Sequence, residues 1–174
     1  MLHLVLEVVA YAADEATERG GGSCVILLHG DGSVSVADDG RGTDTRFGAD
    51  GVPVRKAVIA TKDLRFFDSS DSPALPDGHP RRGLSVAAVL SSWLVHTSRR
   101  HDDAWTQRYA HGIPVTGLVP VDGDGTTGTT GTTVHFMADA DVLTSVSTSV
   151  LADEIRRVVQ FPALTVDVQE EQIP

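Results

Sequence analysis

Leu2, Leu6, Val9, Ala13 and Ala16 recur at helical spacing and predict an amphipathic helix over residues 2–18 with one buried stripe. Gly20-Gly21-Gly22 ends it. Val25-Ile26-Leu27-Leu28 is a short apolar run suited to a buried strand, and His29-Gly30-Asp31-Gly32 turns the chain into an alternating run from Ser33 to Ala37, which together predict a β-hairpin. Residues 39–53 contain four glycines, three aspartates and a proline, the composition of a loop. A short helix over 54–61 follows. From Asp63 to Arg82 there is no apolar period, only Asp, Ser, Pro and Gly punctuation, so a long lid-like loop is expected. Residues 83–92 suit a helix, and 93–98, 104–110, 115–121 and 132–136 suit strands of an antiparallel meander. Leu151, Ile155, Val158 and Val159 give a helix over 150–159, and alternating Leu164, Val166 and Val168 give a last strand. The expected class is α+β, with helices over one sheet.

Composition narrows the field. A chain of 174 residues suits one domain, residues 1–174. No apolar run approaches the roughly 20 residues of a membrane-spanning helix. The start Met1-Leu2-His3-Leu4-Val5-Leu6-Glu7 has neither the basic residues nor the cleavage site of a secretory signal, and the single Cys24 excludes an internal disulfide, so a cytoplasmic protein is expected. A formal charge of −10 argues against broad contact with nucleic acid.

The predicted first helix also carries a polar arc. His3, Glu7, Tyr11 and Asp14 fall at i, i+4, i+8 and i+11 and share a face. A carboxylate beside an imidazole can take a proton from an attacking water, and Glu7 with His3 meets that requirement. On spacing alone, a solvated face with an i, i+4 pair is the more frequent arrangement. Asp38 ends a strand before a glycine turn, where its carboxylate can accept from an exocyclic amino group or simply cap the turn.

Three segments in order resemble the GHKL superfamily, and within it the ATP-binding domain of gyrase B. These are Leu2 to Val9 with Asp14-Glu15-Ala16, then Gly32 to Gly42 containing Asp38-Asp39-Gly40-Arg41-Gly42, then Thr130-Gly131-Thr132-Thr133-Val134-His135-Phe136 preceded by Tyr109-Ala110-His111-Gly112. The resemblance implies the α/β sandwich of that superfamily, with helices on one face of a mostly antiparallel mixed sheet. It also implies an ATP or other adenine-nucleotide ligand. Glu7 would be the general base of an ATP hydrolase and His3 its support. Asp38 and Thr132 would hold adenine, Arg41, Gly42 and Arg100 would line the outer pocket, and Asp14 would complete the nucleotide-binding set.

Two departures from the family pattern alter that expectation. Tyr11 stands where the family has the Asn that coordinates Mg2+, and a neutral phenol is a poor ligand for that hard cation. The family's glycine run that cradles phosphates through backbone N–H groups reads here Gly78-His79-Pro80-Arg81-Arg82-Gly83, in which Pro80 has no N–H. The expected protein therefore binds an adenine nucleotide with weak or absent Mg-dependent hydrolysis. An active ATPase using Arg65, Arg81 or Arg82 for phosphate is one alternative. The other is a binding module for a different adenine-pocket ligand, such as a metabolite or a gyrase-directed antibiotic, or for a protein partner. Ending after the predicted last strand, the sequence is expected to lack the transducer and DNA-cleavage domains, and with them topoisomerase activity.

Overall fold

The computed structural model describes residues 1–43, 73–121, 129–142 and 147–171. Residues 44–53 of the first expected loop, the expected helix over 54–61, residues 63–72 of the lid-like loop, and Arg65 lie outside the described residues.

The chain opens with α1 (Leu2–Arg19) and the hairpin β1 (Gly22–Leu28) and β2 (Val34–Asp38). Next come α2 (Leu84–Val89), β3 (Ser91–Arg99), β4 (Ala104–Ala110), β5 (Ile113–Pro114) and β6 (Val119–Pro120). β7 (Gly131–Ala138), α3 (Thr148–Val158) and β8 (Leu164–Glu170) complete it. The strands form one sheet in the order β5-β4-β3-β7-β2-β1-β8, with β6 also on β4. Every pairing is antiparallel except β1 with β8. This is the expected α+β mixed sheet with helices packed on one face. None of the described helices is long and apolar enough to cross a membrane.

The strand order corrects the expected meander. β7 does not continue outward from β4; it lies between β3 and β2, pairing Val134 with His96 on one side and with Val36 on the other. The reason is burial: Val134, Phe136 and Ala138 carry an inward stripe as apolar as that of Leu94 on β3, so β7 belongs at the centre. Of the single strand expected over 115–121 only the two-residue β6 forms, with the two-residue β5 just before it, both at the β4 edge. Pro114 and Pro120 have no N–H to extend a ladder, which confines them to an edge.

α1 begins and ends as its sequence dictates. Gly20 takes a left-handed conformation (φ 78°) that closes the helix, and Gly21 N–H returns to Ala16 O at 2.8 Å. Its burial is wider than the single expected stripe. Leu4, Val5, Val8, Val9, Ala12, Ala13 and Ala16 belong to the core under the sheet, while Leu6 and Ala10 pack on the opposite side against Leu75. The helix is thus enclosed between the sheet and the segment 73–83. That second layer covers Glu7 and part of His3 and Tyr11, and leaves Asp14 exposed.

Candidate functional site

The polar arc of α1 runs from a buried Glu7, through half-buried His3 and Tyr11, to an exposed Asp14. Glu7 is fully buried, and its carboxylate lies over the first residues of α2, where Oε1 accepts from Arg82 N–H and Oε2 from Gly83 N–H, each at 2.7 Å. His3 Nε2 stands 3.3 Å from Glu7 Oε1, and its Nδ1 is 2.7 Å from Asp77 Oδ2. The spacing argument found the His3–Glu7 pair; it did not find Asp77, which orients the ring from the turn after Leu75. An Asp followed by Gly, itself a turn signal, was the only clue in the chain.

One helical turn further along, the Tyr11 hydroxyl accepts from Leu84 N–H at 3.4 Å, and the Arg81 guanidinium carbon lies 4.8 Å from the centre of the Tyr11 ring. Arg81 is only 6% exposed and pairs with Asp14 through both terminal nitrogens, at 3.0 and 2.8 Å. Asp14, expected near a nucleotide, is therefore engaged by the chain's own arginine. The run 78–84 can be accounted for group by group. Gly78 N–H donates to Leu75 O (2.8 Å), His79 N–H to Asp77 Oδ1 (3.0 Å) and Arg81 N–H to Pro73 O (2.9 Å). Pro80 has none, and the next three donate to Glu7 and Tyr11. Every backbone N–H of the run is satisfied inside the protein.

The other end of α1 faces Asp38. This carboxyl closes β2 and is half-buried; Oδ1 accepts from Gly40 N–H (2.8 Å) and Thr132 N–H (3.2 Å), and Oδ2 accepts no bond among the described residues. Burial raises its pKa above the ordinary carboxylate value, against the opposing effect of those two N–H groups. Thr132 thus joins the network through its backbone N–H, and its hydroxyl makes no bond among the described residues. Strand β7 can approach this closely because Gly131 has φ 143° and no side chain: a Cβ there would meet Asp38 O at 1.9 Å.

Gly42 (φ 76°) lies against the end of β3, where a Cβ would meet Arg99 O at 2.4 Å and Arg100 Cγ at 3.0 Å. Arg100 is therefore beside Gly42, with Asp102 and Asp103 each 3.8 Å from its Nε. Arg41 turns back onto α1, with Nε and Nη2 on the Glu15 oxygens at 2.6 and 2.8 Å and Nη2 also on Glu18 at 2.7 Å. Hydrogen bonds from the Arg41 side chain hold the Glu15 carboxyl below its usual range. The structure thus brings Asp38, Gly42, Thr132 and Arg100 together at one end of α1. His3 and Glu7 meet at the other, with Asp14 between them. A separate cavity of about 310 Å³ opens beyond the His3 end, bordered by His29, Asp77, His79 and Glu154. It is remote from Asp38 along the helix.

Comparison with known proteins finds relatives over most of the chain. The chain is 33% identical to the B-type subunit of DNA topoisomerase 4 from Staphylococcus epidermidis over 147 residues, which is 84% of this chain and 22% of that protein. It is 34% identical to the B-type subunit of DNA gyrase from Mycolicibacterium smegmatis over 140 residues, 80% of this chain and 20% of that one. The chain thus spans about a fifth of the length of these relatives. No family model matches it. Among solved structures, it superposes on the topoisomerase IV ATP-binding domain of Francisella tularensis, solved with a small-molecule inhibitor, with a TM-score of 0.70 at 23% identity, covering 97% of this chain and 81% of that one. With these relatives over four fifths of its length and the same fold, the chain belongs to the gyrase B and topoisomerase IV B group of GHKL ATP-binding domains.

Proposed function

We propose that the protein binds an adenine nucleotide or related adenine ligand at Asp38 and performs little or no Mg-dependent ATP hydrolysis. The reading rests chiefly on Glu7. A general base must present a lone pair to water, and this carboxylate has no solvent exposure and already accepts at both oxygens from the Arg82 and Gly83 N–H groups at 2.7 Å. The same bonds consume the N–H groups at the start of α2 that an anionic phosphate would need. A divalent cation does not fit beside Tyr11: the phenol is a weak donor and a guanidinium already lies on its ring.

At the adenine end, the support is an anchored carboxylate whose second oxygen is open to a donor, set between the Gly40 turn and β7. Arg81 does not favour the alternative of an arginine-assisted ATPase, because it is committed to Asp14. Titration calorimetry with ATP and Mg2+, paired with a phosphate-release assay, tests the reading. Binding without turnover is the expected result; turnover at ordinary rates for such a domain that disappears in Glu7→Ala overturns it.

A further inference from the structure

Between the Glu7 and Asp38 ends, α1 acts as a ruler. At about 1.5 Å of rise per residue, the seven residues from Glu7 to Asp14 span roughly 10 Å. Within that length the backbone N–H groups of 81–84 and the Arg81 guanidinium are engaged by other groups of the chain. The N–H groups of 81–84 donate to Pro73, Glu7 and Tyr11. The Arg81 cation is neutralised by Asp14 and lies on the Tyr11 ring.

Charge points the same way. Arg19, Arg41 and Arg100, on the wall beside Asp38, each face carboxylates of this chain: Asp39 for Arg19, Glu15 with Glu18 for Arg41, and Asp102 with Asp103 for Arg100. Asp38 is left over, half-buried and without a cationic partner among the described residues. A polyanion brought to this wall meets like charge and finds its natural counter-ions already paired. A neutral group bearing N–H donors gains a charge-assisted bond to Asp38 Oδ2 and meets no such repulsion.

We infer that this site takes an adenine base or nucleoside in preference to a nucleoside triphosphate, with Asp38 as the recognising acceptor and the phosphate half closed by the chain's own Glu7 and Arg81. The inference rests on the proposed adenine-binding role of Asp38, and it names the ligand class that role serves.

Calorimetric titration of the full chain with adenosine, AMP, ADP and ATP, at fixed ionic strength and first in EDTA, tests it. Adenosine is expected to bind at least as tightly as ATP, and Asp38→Asn to weaken adenosine at least tenfold while circular dichroism confirms the fold. An affinity that climbs tenfold or more from adenosine to ATP, without turnover, overturns this inference and leaves the proposed function standing. Absence of binding by all four compounds overturns both. Arg81→Gln supplies a second measurement: with part of the closure removed, ATP is expected to bind no more weakly relative to adenosine than in the parent, and a selective loss of ATP binding would make Arg81 a phosphate contact and refute the closed site.

Discussion

Glu7 and Gly83, 76 residues apart in sequence, are joined by a 2.7 Å hydrogen bond from the Gly83 N–H to a carboxylate oxygen with no solvent exposure. With the matching bond from Arg82, it fastens the segment before α2 onto α1. The carboxylate acts as a structural acceptor, filling the position where an anion would otherwise bind the start of α2.

That role sets the expected behaviour of Glu7→Gln. A residue kept only for proton abstraction can be made neutral at little cost to folding. Here the amide turns one acceptor into a donor facing an N–H, and the loss should be about 2 kcal/mol, the scale of hydrogen bonds to a charged group. Urea denaturation of parent and variant measures it; unchanged stability would remove the structural role.

Gly131 and Gly20 both have positive φ but should respond differently to alanine. At Gly131 the new Cβ would meet the Asp38 carbonyl oxygen at 1.9 Å, so β2 and β7 must separate, costing about 3 kcal/mol or more. At Gly20 nothing lies within 4 Å, and only the left-handed strain of about 1 kcal/mol applies. Melting curves of the two variants give the ranking directly, and equal shifts would contradict the tight β2–β7 approach.

His96 should make the fold acid-sensitive. It is 1% exposed on the inner face of β3, its Nδ1 has no partner among the described residues, and burial lowers its pKa from 6.5 to about 4. Because the folded value is depressed, its contribution is complete above pH 6.5 and is lost as pH falls toward 4, by about 3 kcal/mol between pH 7.5 and 4. Asp38 works oppositely: its carboxyl is raised, so its contribution is present at low pH and is lost as pH rises through the carboxylate range. Comparing the parent with His96→Gln isolates the histidine. The variant should lose less stability on acidification, and parallel pH curves would exclude the effect.

Cys24 should be inert while the chain is folded. It is 1% exposed on β1, and burial raises its thiol pKa to about 12, leaving almost no thiolate at neutral pH. A thiol-disulfide colorimetric reagent is expected to label it only after denaturant is added. Stoichiometric labelling within minutes in native buffer would show that β1 opens readily.

Much of the architecture was legible in the chain because it depends on local period and punctuation. Leu2 to Ala16 gave α1, the glycines after it gave the stop, and the two runs around Gly30 to Gly32 gave the β1–β2 hairpin. The place of β7 was not legible. Its alternation says that it is a strand, but which neighbours it takes depends on apolar stripes more than 30 residues away.

The site divides along the same line. Sequence by itself determined which groups exist and which share a helix face: His3, Glu7, Tyr11 and Asp14 on one arc, with Asp38 before a glycine turn. Only tertiary structure decided what each of them meets. Arg81 could have faced solvent or ligand, and it is held on Tyr11 and Asp14. Glu7 could have faced water, and it is sealed under α2. A helical period reports which residues are neighbours on one element, whereas burial and hydrogen bonding are properties of the layer that folds over it.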